Sequence, residues 1–256
     1  MIKSVCCIVF TKEILMKTEE LVLNKERSVT LTAYIQKVGN EFSNIERRPA
    51  IIILPGGGYN FCSDREADPI AFVYLKAGFQ VFILRYSVAE HKAWRNPLDD
   101  YEQAFSLICD KSKEWAVNTN KIAVIGFSAG GHLAGCAATV SKCKPNAAVL
   151  GYPVLNRETI NFYSTEAPDV TACVDENTCP CFIFASRNDN TVPIANTIEF
   201  IDALNKKGVD FECHIYSDAP HGFSVADETV NAMALDMCSR TPNWTNDSVQ
   251  WLKEVL

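Results

Sequence analysis

A regular alternation of strand-like and helix-like segments from residue 50 onward constrains this chain more than any other feature. Short apolar runs rich in β-branched residues predict strands that cover 50–54, 80–86, 121–127, 147–151, 181–185 and 210–216. Longer segments between them predict helices over 66–76, 98–117, 129–140, 193–207 and 247–255. Such alternation favours an α/β fold, in which helices cover both faces of a mostly parallel central sheet.

The first part of the chain breaks this alternation. Strand-like segments at 21–23 and 29–36 lie too close together for a helical crossover, so we expect an antiparallel start to the sheet. We interpret residues 1–17 as an N-terminal extension and 18–256 as a single domain. The apolar run near the N-terminus is interrupted at Lys12, and no small-residue cleavage site follows, which argues against a signal peptide.

The overall composition excludes several classes of partner. The chain has 256 residues with a formal net charge of −7, and it contains no basic run. Proteins that bind nucleic acid or anionic membranes concentrate Lys and Arg on one face. The longest apolar runs are far shorter than the roughly 20 residues of a membrane-spanning helix. We therefore expect a soluble protein without a nucleic-acid or membrane partner.

The chain contains 11 cysteines, an odd number that is scattered along the sequence. This distribution favours reduced thiols and a cytoplasmic location over a disulfide framework. Cys179 and Cys181 are separated by one proline, a spacing that fits neither redox pairs nor zinc pairs. We expect no metal site at these cysteines.

Residues 126–131 read Gly-Phe-Ser-Ala-Gly-Gly and join a predicted buried strand to a helix of small residues. A G-x-S-x-G turn requires this context, because the chain must turn sharply to expose the serine hydroxyl at the end of the sheet. Flanking glycines remove the Cβ atoms that would collide in such a turn. An ordinary strand-to-helix turn would explain the glycines but not the serine. The pattern therefore predicts Ser128 as a nucleophile.

A serine hydroxyl needs a base to accept its proton, and four histidines are available. His91 lies in a polar loop, where exposure is expected, and His132 follows Ser128 by four residues on a helix, where it would point into the packing. His214 lies inside a strand and is expected to pack in the core. His221 directly follows the last strand, and parallel sheets carry their ligands beyond the carboxyl ends of strands. We predict His221 as the base.

The acid that orients the base is expected on the loop after the preceding strand, in the chain order serine, acid, histidine. That loop covers 187–193, and Asp189 is its sole carboxylate. An alternative role for Asp189 is an N-terminal cap of the helix that begins near Pro193. The order along the chain favours Asp189 as the acid.

Another predicted buried strand ends in three consecutive glycines at 56–58. Without side chains, their main-chain N–H groups can face a developing oxyanion. We predict the amides of Gly57, Gly58 and Ala129 as donors, and Tyr59 as a substrate-binding residue. A phosphate-binding loop is the competing interpretation, but neither of the glycine spacings typical of such loops is present.

The ordered motifs resemble those of bacterial esterases, a group that includes acetyl xylan esterases and feruloyl esterases. The resemblance spans about residues 20–255 and rests on the segments 55–59, 63–67, 126–133, 189–193 and 221–223. It implies an α/β-hydrolase fold with a short cap segment, and ester hydrolysis without a metal or organic cofactor. It also implies a Ser128, Asp189 and His221 triad and an oxyanion hole formed by Gly57, Gly58 and Ala129.

Two positions depart from the pattern of related lipases. Pro55 stands where those lipases usually have histidine, and Asn188 replaces an aspartate that often precedes the acid. Neither change removes a catalytic group, but both leave the substrate open.

We expect a serine carboxylesterase that hydrolyses small-acyl esters, among them acetylated sugars or xylo-oligosaccharides, through an acyl-enzyme. The segment 156–179 is short and polar, which favours a small acyl group. An amidase, formamidase or exopeptidase with the same triad is one alternative. A catalytically inactive small-molecule-binding module on the same fold is another, although such a module would be expected to lack a triad residue.

Overall fold

In the computed structural model, which describes residues 16–230 and 237–256, eight strands form one sheet. The strands are β1 (Met16–Asn24), β2 (Val29–Gln36), β3 (Arg48–Leu54), β4 (Gln80–Arg85), β5 (Val117–Phe127), β6 (Ala147–Gly151), β7 (Cys181–Ser186) and β8 (Phe211–Tyr216). Their order across the sheet is β1-β2-β4-β3-β5-β6-β7-β8. β2 pairs antiparallel with β1 and β4, and the remaining pairs are parallel. The predicted antiparallel start and mostly parallel sheet are confirmed.

Helices connect the parallel strands and cover both faces of the sheet. They are α1 (Asp68–Lys76), α2 (Asn96–Asp110), α3 (Ala129–Thr139), α4 (Arg157–Ile160), α5 (Ala195–Lys207) and α6 (Trp244–Val255). The central strands are apolar along their whole length because they are buried on both faces. Ile52 and Val124 face one core with α2 and α3, whereas Ile51 and Ile125 face the other core with α1 and α6.

Some boundaries differ from those expected. The predicted helix over 98–117 ends at Asp110, because the chain turns back at 111–116 and β5 already begins at Val117, which pairs with Arg48 of β3. At the N-terminus, β1 begins at Met16, inside the extension assigned to residues 1–17. Residues 1–15 of that extension lie outside the described residues. The single-domain assignment for 18–256 stays a prediction.

The sheet brings four loops together at one end of its strands. β3, β5, β7 and β8 are parallel, so the loops that follow them meet at the carboxyl ends of the strands, where α/β sheets bind ligands. Between β6 and β7 the chain forms only the four-residue helix α4 and a short 3-10 turn, which together make a small cap. This segment therefore forms only a small cover over the carboxyl ends of the strands.

Two further properties concern the helices and the cysteines. In the described part of the chain, no helix combines the length and apolar character needed to cross a membrane. The nine cysteines within this part are free thiols. The cytoplasmic location stays a prediction.

The close approach of α3 to β3 predicts a large loss of stability when Gly130 is replaced. A Cβ atom on Gly130 would overlap the Leu54 carbonyl oxygen and come within 2.5 Å of the Pro55 carbonyl oxygen. Since backbone atoms cannot move aside, we expect Gly130→Ala to lower the free energy of unfolding by about 3 kcal/mol or more. Urea unfolding followed by circular dichroism measures this change.

Gly208→Ala is the matched control. Gly208 has a φ of +68° but nothing within 4 Å of its added Cβ, so only the left-handed backbone penalty of about 1 kcal/mol applies. Equal losses in the two variants would show that the contact between α3 and β3 is not tight.

Candidate active site

Ser128 lies at the turn between β5 and α3, in a backbone conformation that residues other than glycine rarely adopt. Its φ is 52° and its ψ is −115°. The surrounding backbone holds the turn, because the Ser128 N–H donates to the Gly151 carbonyl at 3.0 Å and its carbonyl accepts from the N–H of His132 at 3.0 Å. Strained residues that are fixed in this way concentrate at functional sites. The sharp turn expected from the sequence is present.

The loops after β7 and β8 bring the other two predicted residues to this serine. His221 Nε2 lies 2.9 Å from Ser128 Oγ, and His221 Nδ1 lies 2.7 Å from Asp189 Oδ2. Ser128 and Asp189 are buried, whereas the His221 side chain is 17% exposed. The imidazole thus connects the hydroxyl to the carboxylate along one hydrogen-bonded line.

Asp189 also organises its own loop. Its Oδ1 atom accepts hydrogen bonds from the N–H groups of Thr191 at 2.8 Å and Val192 at 2.9 Å, which leaves Oδ2 for the imidazole of His221. The N-cap position of α5 is Ile194, so Asp189 is not the cap of that helix. The carboxylate fixes the loop with one oxygen atom and the histidine with the other.

The glycine loop after β3 lies beside the serine. Gly57 and Gly58 both have positive φ angles, 133° and 62°. Among the described residues, none accepts a hydrogen bond from the amides of Gly57, Gly58 or Ala129, and Ala129 is the first residue of α3. A Cβ atom on Gly58 would lie 3.2 Å from Tyr163 Cε1, which places the cap against this loop. Three amides are thus available to a ligand oxygen.

The side chain of Tyr59 is buried, and its role as a substrate-binding residue stays a prediction. The residue is 1% exposed, and its hydroxyl lies 2.8 Å from His132 Nδ1. The backbone turns at Tyr59 with a φ of 58°, and the ring packs edge-on against Tyr86 at 5.8 Å. Burial raises the pKa of Tyr59 well above its ordinary value. The buried side chain therefore holds the glycine loop against the core.

The remaining histidines are not at the site. His132 is fully buried on α3, as expected, and burial lowers its pKa to about 4. His214 is wrongly predicted as a core residue: its side chain is 28% exposed because β8 is an edge strand, and Nε2 lies 2.7 Å from Glu212 Oε1. His91 is partly exposed in a short 3-10 turn.

Glu66 and Tyr152 form part of the site although the sequence assigned them no role. The Gly56 N–H donates to Glu66 Oε2 at 2.7 Å, and the Tyr152 hydroxyl donates to Glu66 Oε1 at 2.6 Å. The Tyr152 ring packs 5.0 Å from the His221 ring, centroid to centroid. Glu66 is in the motif 63–67, but nothing local in that motif indicates that its carboxylate is buried.

Metal-ligating side chains are dispersed in this structure. Within 16–230 and 237–256, no group of three or more His, Cys, Asp or Glu side chains is arranged to hold a metal ion. The chemistry available at the site is that of a hydroxyl, an imidazole, a carboxylate and free main-chain amides.

Two family models match the chain in the segments that carry these residues. The BD-FAE model matches residues 41–172, just over half of the chain, and this segment includes the glycine loop and Ser128. The model of the prolyl oligopeptidase family matches residues 157–238, which include Asp189 and His221.

Curated relatives are longer proteins. The acetylxylan esterase of Xylanibacter ruminicola is 32% identical over 200 residues, which cover 68% of this chain and 41% of that protein. The endo-1,4-beta-xylanase B of Butyrivibrio fibrisolvens is 27% identical over 221 residues, which cover 71% of this chain and 33% of that protein. The chain therefore spans well under half the length of these two relatives.

Solved structures match over nearly the whole chain. MGS-M1, an alpha/beta hydrolase enzyme from a Medee basin deep-sea metagenome library, is 42% identical with a TM-score of 0.87, covering 94% of this chain and 98% of that one. The acetyl ester-xyloside bifunctional hydrolase of Caldicellulosiruptor lactoaceticus is 29% identical with a TM-score of 0.77, covering 89% and 88%. The expected α/β-hydrolase fold is confirmed, and the chain belongs to the BD-FAE family.

Proposed function

We propose that this protein is a serine carboxylesterase that hydrolyses small-acyl esters of the acetyl type, among them acetylated sugars or xylo-oligosaccharides. One observation carries the proposal: His221 lies within hydrogen-bond distance of both Ser128 Oγ, at 2.9 Å, and Asp189 Oδ2, at 2.7 Å. A nucleophile, a base and an orienting acid in this order are sufficient for acyl transfer.

The reaction uses each group in turn. Ser128 Oγ attacks the ester carbonyl while His221 Nε2 accepts its proton, and Asp189 stabilises the imidazolium that forms. The amides of Gly57, Gly58 and Ala129 donate hydrogen bonds to the oxyanion. The alcohol leaves with the proton from His221, and the acyl group stays on Ser128. Water then attacks the acyl-enzyme by the same route and releases the carboxylic acid.

The small cap supports the preference for short acyl groups. Only Phe162 and Tyr163 are aromatic in the segment 156–179, and Phe162 is 81% exposed. An exposed ring on a short, polar segment cannot enclose a long acyl chain. The relatives named for acetylxylan esterase and acetyl ester-xyloside hydrolase activity support an acetylated sugar as the alcohol side.

Amide hydrolysis is the second candidate, because the match to the prolyl oligopeptidase family covers Asp189 and His221. A matched pair of substrates distinguishes the two, since 4-nitrophenyl acetate and 4-nitroacetanilide differ only in the bond that is cleaved. Relative to the uncatalysed rate of each compound, we expect a large acceleration for the ester and little or none for the anilide. An inactive binding module would hydrolyse neither compound, and the hydrogen-bonded triad geometry disfavours it.

The two hydrogen-bonding roles of Asp189 make its substitution informative. Asp189→Asn keeps Oδ1 for the amides of Thr191 and Val192, so its NH₂ group must face His221 Nδ1. The imidazole then carries its proton on Nε2 and cannot accept the proton of Ser128. We expect kcat for 4-nitrophenyl acetate to fall by about 10⁴-fold while the loop stays folded.

Asp218→Asn is the matched control for this substitution. Asp218 is exposed on the loop after β8 and accepts a hydrogen bond from Asn188, whereas the polar partners of His221 are Ser128 and Asp189. We expect it to retain nearly full activity. If Asp189→Asn stayed active while Asp218→Asn lost activity, Asp189 would serve only its loop.

The small size of the cap predicts a preference for short acyl chains. Each buried CH₂ of a longer acyl chain could contribute about 0.8 kcal/mol to transition-state binding, but the cap does not provide the apolar surface to bury it. We expect kcat/KM to be highest for acetyl and propionyl 4-nitrophenyl esters and much lower for the octanoyl ester. A higher kcat/KM for octanoate than for acetate would identify a lipase-like acyl site instead.

A further inference from the structure

The buried carboxylate of Glu66 connects the glycine loop to the tyrosine that packs against His221. Glu66 ends the 3-10 turn Asp64–Glu66, between the glycine loop and α1, and it is 3% exposed. Oε2 accepts the N–H of Gly56, which starts the glycine loop, and Oε1 accepts the hydroxyl of Tyr152, which follows β6. Its two oxygen atoms therefore contact two different loops of the site.

On one side, Glu66 fixes the glycine loop against the nucleophile. A Cβ atom on Gly56 would lie 2.7 Å from Glu66 Oε2 and 3.1 Å from Ser128 Cβ, so Gly56 packs closely beside both the carboxylate and the serine. Gly57 and Gly58 follow at once along the chain. The position of Gly56 therefore sets where their amides stand relative to Ser128.

On the other side, Glu66 fixes the residue that supports the imidazole. The Tyr152 ring packs edge-on against His221, at 5.0 Å and 69°. Besides donating to Glu66, the Tyr152 hydroxyl accepts the N–H of Ser224, on the loop that carries His221, at 3.1 Å. Tyr152 itself has a φ of 36°, so its orientation depends on these contacts.

Burial of this carboxylate is costly in itself. Desolvation raises the pKa of Glu66, and the hydrogen bonds from Tyr152 and Gly56 oppose that rise. A buried polar group is tolerated when its hydrogen bonds are satisfied, and such a group then specifies the geometry around it.

We propose that Glu66 is a positioning residue, which sets the amides of Gly57 and Gly58 and the imidazole of His221 in register with Ser128. The inference rests on the proposed esterase function. Glu66 touches neither the substrate nor the reacting atoms, so it acts through Gly56 and Tyr152.

The test compares Glu66→Ala, Glu66→Gln, Tyr152→Phe and the double variant Glu66→Ala with Tyr152→Phe. Each is measured with 4-nitrophenyl acetate, with phenylboronic acid, which forms a tetrahedral adduct with an active-site serine, and by thermal unfolding. The concentration of competent sites comes from fluorophosphonate labelling, so that kcat refers to folded enzyme. Tyr74→Phe is the matched control, because Tyr74 is a buried tyrosine whose hydroxyl lies 3.0 Å from Ser248 Oγ, between α1 and α6.

We expect Glu66→Ala to lower kcat per site by about 10²-fold, as misplacement of catalytic groups by about 1 Å does. Affinity for phenylboronic acid should fall in parallel, and KM should stay nearly constant. Glu66→Gln keeps an oxygen for the Gly56 amide and should lose less activity, and the double variant should lose less than the product of the single losses. Tyr74→Phe should lower Tm without changing kcat per site or the affinity for phenylboronic acid.

A different pattern would overturn the inference. If Tm fell while kcat per site and boronate affinity stayed at wild-type values, Glu66 would be merely structural. Should Glu66→Ala fail to fold, Glu66→Gln and Tyr152→Phe decide by the same readouts. The proposed function is judged separately, because wild-type hydrolysis and its loss in Ser128→Ala do not depend on Glu66.

Discussion

The active-site architecture depends on the close contact between the start of helix α3 and the end of strand β3. Gly130 lies directly against the carbonyl oxygens of Leu54 and Pro55, a distance at which no side chain fits. This close approach places the sharp turn at Ser128 beside the glycine loop that follows Leu54. A larger residue at position 130 would separate the nucleophile from the amides proposed to stabilise the oxyanion.

Around this contact, buried polar groups form hydrogen bonds with one another. Asp189 divides its two oxygen atoms between its own loop and His221, and Glu66 divides its own between Gly56 and Tyr152. Each carboxylate thereby connects a loop backbone to a ring at the site. Preorganised groups of this kind need little rearrangement when charge develops in the reaction. The same parallel sheet delivers all of these loops to one edge.

Much of this arrangement could be predicted because its signals are local. A strand followed by a short loop places Ser128, Asp189 and His221 at the carboxyl edge, and the alternation of segments specifies the sheet. The orientation of Tyr59 could not be predicted, because its hydroxyl contacts His132, 73 residues away. Glu66 and Tyr152 are 86 residues apart, and no sequence pattern connects them. The exposure of His214 depends on β8 lying at the edge of the sheet, which becomes visible only when the strand order is known.

The most direct measurement is covalent labelling with a fluorophosphonate, followed by peptide mapping with mass spectrometry. The reagent phosphonylates a serine whose hydroxyl is activated by a neighbouring base. We predict one adduct, on the peptide that contains Ser128, and neither labelling nor ester hydrolysis in a folded Ser128→Ala variant. An adduct on another serine, or a Ser128→Ala variant that hydrolyses 4-nitrophenyl acetate at the wild-type rate, would contradict the triad.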